Sequence, residues 1–187
     1  YMATLNTADI AALGTSGIDA LTTAQVAALS TANIAALSTA QLQALGTDDI
    51  VALTTDQIAA METRDLASLT TTQIQALGTS QVDALTTNQI GALNTAQIVA
   101  LTTAQFAAMA TDDLAAMNTA QFAAMQTVDI AALGTSQVAA LETRDLAALT
   151  TSQIQALGTS QVAALDTGQV APLPTAPLVT PPNAHLP

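Results

Sequence analysis

The chain has no cysteine and no tryptophan, and only 2% of its 187 residues are aromatic. Without thiols there is no disulfide framework and no thiolate metal site. Lysine is also absent, and two arginines stand against 14 acids for a net charge of −12. That leaves no basic patch to neutralise phosphates, so neither nucleic-acid binding nor docking on anionic lipid is expected. The single histidine, His185, lies among prolines, and one imidazole gives little to build a histidine metal site or a Ser–His pair on. No uninterrupted apolar run reaches the length of about 18 residues needed for a span, so membrane insertion is not expected. A basic segment leading into a short apolar stretch is missing too, which argues against a secretory signal in this stretch. Proline does not occur before Pro172, so helices are permitted throughout the preceding chain.

What the chain does have is a repeat. Leu or Met recurs every eighth residue from Leu5 through Leu13 and Leu21 to Leu173, without a slip in phase across 22 occurrences. Two residues after each stands a threonine, from Thr7 to Thr175. Two further on there is usually Gln, Asp or Asn, then Ile, Val, Leu or Phe, then a variable residue and alanine. The unit is L-x-T-x-[Q/D]-[I/V]-x-A. A longer period overlies it: METRDLASLTTTQIQALGTSQVDAL from Met61 returns, ten octads later, as LETRDLAALTTSQIQALGTSQVAAL from Leu141. This is the mark of block duplication.

Eight residues advance an α-helix by roughly 800°, so an apolar stripe would drift by roughly 80° per repeat and soon face water on every side. One continuous helix is excluded. One short helix per octad fits better. In Thr79-Ser80-Gln81-Val82-Asp83-Ala84-Leu85, Val82 and Leu85 share a face and Ala84 permits close approach. The threonines Thr7, Thr15, Thr23, Thr31, Thr39, Thr47, Thr55, Thr63, Thr71 and Thr79 read as the N-caps of such helices. The residue after the leucine is often one (Gly14, Gly46, Gly78, Gly134, Gly158, Asn94, Asn118) that suits the left-handed position that ends a helix. Nine of the 14 acids fall one or two places after a threonine, where a helix start favours negative charge. Helices this short need neighbours to survive in water, so the expected fold is an all-α solenoid. Phe106 and Phe122, 16 residues apart, fit two octads per coil, and Gly14, Gly46 and Gly78, 32 apart, fit two or four; two octads, about 16 residues, per coil is the preferred reading. The alternative, a β-solenoid, suffers from alanine and glutamine, which are poor strand residues, and from the lack of a purely apolar parity.

Chemistry-bearing residues are scarce. The threonine array admits an ice-binding reading, but N-capping accounts for both its position and its companion acids. Asp48-Asp49 and Asp112-Asp113 lack the glycine turn and closing glutamate of a calcium loop. Met109, Met117 and Met125, with Phe106 and Phe122, occupy the leucine and isoleucine positions and read as core. Arg64 and Arg144 are each set in E-T-R-D and read as the centres of small surface ion pairs. No catalytic, cofactor-binding or metal-binding residue is expected, and no enzymatic activity. Past residue 171 the octad decays into a proline-rich segment, 172–187, which reads as an extended tail on the 1–171 solenoid.

Runs such as LTTAQVAALSTANIAALSTAQ (residues 21–41) resemble the octapeptide arrays of large, repetitive bacterial secreted or surface proteins, adhesin-like ones among them. The resemblance spans Leu5 to about Leu173. It implies an extracellular or cell-surface, non-enzymatic rod, stalk or filament component that needs no cofactor. Its expected partners are further repeats, by end-to-end self-association or by adjoining repeats of the same chain. A protein-binding solenoid scaffold and a threonine-array ice-binding protein are the alternatives.

Overall fold

A computed structural model describes residues 5–173. They form 21 short α-helices, from Thr7–Ala12 to Thr167–Val170, one per octad and each of four to six residues. Among the described residues there is no strand, so the β-solenoid alternative falls away. Within an octad the exposure pattern is regular. The leucine, glutamine and isoleucine positions are buried, while the three residues from the one after leucine to the one after threonine face solvent.

The start of each helix differs by one residue from the sequence expectation. Threonine is the first helical residue and the N-cap is the residue before it in every helix but Gly14–Asp19, which starts one residue earlier with Leu13 as its cap. Thr7, Thr15, Thr23, Thr31, Thr39, Thr47, Thr55, Thr63, Thr71 and Thr79 are therefore not the caps. Thr22, Ser30, Ser38, Thr54, Thr70 and Asn94 are among the caps, each accepting from the backbone amide three residues on. The physical reason is the glutamine. With threonine as first residue, glutamine becomes the third, and its side chain can reach back to the N-cap amide to close a capping box. Ser38 and Gln41 show the reciprocal pair: the Gln41 amide N–H donates to Ser38 Oγ at 3.3 Å, and the Ser38 N–H donates to Gln41 Oε1 at 2.9 Å.

The same shift reassigns the residues expected to end helices. Gly46, Gly78, Gly134 and Gly158, with Asn94 and Asn118, are N-caps with extended backbones. Among the described residues only Gly14 has a positive φ, 63°. The corner is instead made by two extended residues in a row, such as Leu45 (φ −64°, ψ 132°) and Gly46 (φ −67°, ψ 163°). These angles lie in the broad extended region open to every L-residue, which is why the capping position accepts Thr, Ser, Asn, Gly, Glu, Ala, Gln and Asp.

The coil is longer than two octads. Every strong helix–helix contact joins a helix to the third one after it: Thr79–Asp83 packs on Thr103–Ala108, and Thr87–Ala92 on Thr111–Ala116. Side-chain hydrogen bonds run to the fourth helix back, as from Gln81 to the carbonyls of Ile50 and Leu53. Each helix thus has its third and fourth neighbours above and below, and a coil holds between three and four octads. This replaces the expected coil of two octads. The expectation failed because a sequence period fixes the length of the unit and is silent about the angle turned at each corner. Stacked at a helix spacing of about 8–10 Å, 21 helices make about six coils, a rod of roughly 50–60 Å.

The core is a thin file along the axis. All residues at the isoleucine position from Ile10 to Leu146 are 0% exposed, and the leucine position is nearly as buried from Leu29 to Leu149. Phe106 and Phe122 are fully buried, and Met109, Met117 and Met125 substitute for leucine within the core. Helix propensity does not sustain elements this short; this continuous apolar file does, at roughly 25 cal/mol per Å² buried.

Candidate functional site: the glutamine ladder

Eighteen polar residues are buried among those described, and all of them occupy the glutamine position. Gln121, 1% exposed, shows what that position does. Its Oε1 accepts from the Asn118 N–H at 2.8 Å, closing its own helix's capping box. Its Nε2 donates to the carbonyls of Ile90 and Leu93, both at 2.8 Å, at the C-terminus of the fourth helix back. A helix leaves its last carbonyls without partners inside itself. Here a side chain from the fourth helix on satisfies them. Twelve glutamines from Gln41 to Gln169 reach back in the same way. The amide is the one neutral side-chain group able to accept at one end and donate twice at the other, so the residue type follows from the job. Asn33, one methylene shorter, still reaches the Leu5 carbonyl at 3.1 Å.

Sequence reasoning missed this ladder, although its signal was visible. The spacing Thr54-x-x-Gln57 is a capping-box pattern, but the invariance of the next threonine drew the cap one residue too far along. The nine acids expected near helix starts do lie in first turns: Asp9, Asp48, Asp49, Asp56, Asp65, Asp112, Asp113, Asp129 and Asp145. Five of them, Asp49, Asp65, Asp113, Asp129 and Asp145, stand in the buried glutamine position. An ionised carboxylate there can accept but not donate. Burial pushes Asp113 up from 3.8 to about 6, helped by the charges of Asp83 and Asp112 and opposed by the Ala110 backbone. Burial also raises Asp129, against a hydrogen bond from the Gln126 backbone.

In the two E-T-R-D segments the arginine is the second helical residue. Arg64 Nε lies 2.8 Å from Glu62 and 3.6 Å from Asp65 Oδ1; Arg144 Nε lies 2.9 Å from Glu142 and 3.4 Å from Asp145 Oδ1. The longer contacts supply attraction without hydrogen-bond geometry, and all four oxygens of Asp65 and Asp145 lack a hydrogen-bond partner. Burial raises both carboxyls, opposed by the neighbouring arginine and, at Asp145, by the Glu142 backbone, and reinforced by the charge of Glu62 or Glu142.

The threonines form the outer surface. Those that open the helices are exposed, apart from half-buried Thr111. Nothing in the structure explains why threonine recurs at this position. Shallow depressions lie between a helix and its third neighbour; one, of about 610 Å³, is lined by Thr63, Thr87, Asn88, Gly91, Ala92 and Ala116. It is open and uncharged. Among the described residues no three His, Cys, Asp or Glu side chains converge as a metal site requires, and no helix is long and apolar enough to cross a membrane. His185 and the tail beyond Leu173 lie outside the described residues.

Six overlapping segments, residues 2–39, 31–63, 58–95, 87–111, 106–143 and 138–175, match the family described as the ALTTAQ repeat. The six letters occur intact at residues 20–25 and 100–105. In the structure they span the alanine and leucine that end one helix and the cap, threonine and glutamine that begin the next. No curated protein matches the chain.

Proposed function

The chain belongs to the ALTTAQ repeat family, and from that premise we propose that it is a non-enzymatic rod or stalk of a bacterial secreted or surface protein, adhesin-like in setting, able to extend by further octads of its own kind. The observation that carries this reading is the glutamine ladder. It joins each coil to the next by backbone-directed bonds that recur along the axis, which is the construction a spacer under tension needs. The acidic, thiol-free surface, with two arginines as the tryptic sites, is compatible with exposure outside the cell. End-to-end association follows the same logic, a glutamine amide of one copy meeting helix-terminal carbonyls of another.

Small-angle scattering tests the rod. The expected result is an elongated particle whose cross-section stays constant, and whose length doubles, when two copies of residues 5–172 are fused in octad phase; a compact particle would overturn it. Antibody labelling of intact source cells tests the compartment, and labelling only after lysis would count against a surface role. The scaffold alternative has the Gly91 depression in its favour. The ice-binding alternative is weakened by the coil itself: with a non-whole number of octads per turn, threonines follow oblique rows rather than a straight file on one flat face.

A further inference from the structure

The aspartates in the ladder are the one feature that the rod reading leaves unused. Asp65 and Asp145 are 1% and 0% exposed, and neither carboxylate has a hydrogen-bond partner. The flanking glutamines, Gln57 and Gln73 around Asp65 and Gln137 and Gln153 around Asp145, each donate to the two carbonyls that end the fourth helix back. In the same register Asp65 falls opposite the carbonyls of Leu37 and Ile34. Asp113 faces those of Leu85 and Val82, Asp129 those of Leu101 and Ile98, and Asp145 those of Met117 and Leu114. Each position therefore sets an acceptor against acceptors, at the negative end of a helix. A single added proton changes this. A neutral carboxyl keeps one oxygen as acceptor and gains an O–H donor, which reproduces half of what the glutamine amide does. Asn33 shows that a side chain of this length reaches the carbonyl at the leucine position.

We propose that Asp65, Asp113, Asp129 and Asp145 are proton-operated rungs: each takes up a proton on mild acidification and donates it to a carbonyl of the preceding coil, so that the solenoid tightens in acid. The charges around them are few. Asp65 has Glu62 and Arg64 on its own turn, and the third and fourth neighbouring helices on either side carry no charge. Asp129 likewise meets no charged residue from those helices. Asp113 meets Asp112 on its own helix, Asp83 from the fourth helix back, and Arg144 and Asp145, with the cap Glu142, from the fourth helix on. Asp145 has Glu142 and Arg144 beside it, Asp112 and Asp113 from the fourth helix back, and the cap Asp166 from the third helix on. Acids outnumber bases around the last two, which favours uptake. Burial holds all four carboxyls above the ordinary aspartate range. A group whose folded value is raised stabilises most below its unfolded value, and that stability is lost as pH rises through the folded value.

The test is the melting temperature of the full chain between pH 7.5 and 4.5, beside D65N/D113N/D129N/D145N and an exposed control, D9N/D19N/D48N/D56N. The wild type is expected to melt at least about 5 °C higher in acid. The buried Asn variant is expected to reach that value already at pH 7.5 and to lose most of the pH dependence, while the exposed control keeps it. A flat or falling wild-type profile overturns the proposal, as does a control that loses the dependence equally, which would assign it to general charge repulsion. Calcium or sodium chloride raising the neutral-pH melting temperature as much as acid does would also overturn it, in favour of a bound cation. Should the Asn variant fail to fold, infrared spectroscopy of the wild type decides. Protonated-carboxyl absorption should grow while exposed aspartates are still ionised, and its absence overturns the proposal.

Discussion

Gln121 and Thr119 stand two residues apart and carry opposite expectations. Replacing Gln121 by Glu keeps the acceptor for the Asn118 amide but removes both donations to Ile90 and Leu93 and buries a charge. The expected loss is about 3 kcal/mol or more, read by denaturant unfolding. Thr119→Ala removes an exposed hydroxyl outside every side-chain bond of its octad and should change stability by less than about 0.5 kcal/mol. Asn118→Ala removes the true cap and falls between, at about 1 kcal/mol. This ordering is the clearest check on the one-residue phase shift. The misreading arose at this scale: threonine is a good cap in isolation, whereas the capping position is chemically mixed and shows no residue preference strong enough to mark itself. Asp113 offers a titration test. Its carboxyl, pushed up to about 6, should show that midpoint by carbon-detected NMR, and Asp83→Asn should lower it, because Asp83 reaches it from the fourth helix back. A midpoint in the ordinary aspartate range would contradict the burial of this position.

Among the helices, the ends differ more than the middles. Gly46, Gly78, Gly134 and Gly158 cap their helices with no side-chain bond of their own. At Gly78 φ is −69°, and an added Cβ would meet Gln81 Oε1 at 3.6 Å, an ordinary contact. Gly78→Ser should therefore stabilise by about 0.5–1 kcal/mol through a new cap. Open space surrounds Gly14, but its φ is 63°. Gly14→Ala should therefore destabilise by about 1 kcal/mol through backbone strain alone. Thermal melts of the two variants should move in opposite directions. Helix type, helix number and the buried isoleucine file could all be read from the octad, because periodicity and burial are the same fact seen twice. The corner was not legible. Its two extended residues leave no compositional mark, and of the glycines that looked like left-handed stops only Gly14 takes a positive φ, while Gly46, Gly78, Gly134 and Gly158 cap the following helix.

For the molecule as a whole, the decisive quantity is the number of octads per coil, which lies between three and four. If coils were closed pairs of helices, removing one octad would leave an unpaired helix and disturb everything after it. In the observed array every octad meets its third and fourth neighbours in the same way, so removing residues 87–94 should leave a cooperative fold, whereas removing 87–93 should not. Circular dichroism and the sharpness of unfolding report the difference. The sequence could not supply this number, since Phe106 and Phe122, two octads apart, sit in helices that each pack on their third neighbours instead. The non-whole coil also bears on inheritance. A gene encoding such an array can gain or lose length in steps of a single octad by slipped recombination, and every product remains in frame with its own architecture. The ten-octad echo between Met61 and Leu141 is then one large step among many small ones, and rod length becomes a trait that selection can adjust almost continuously.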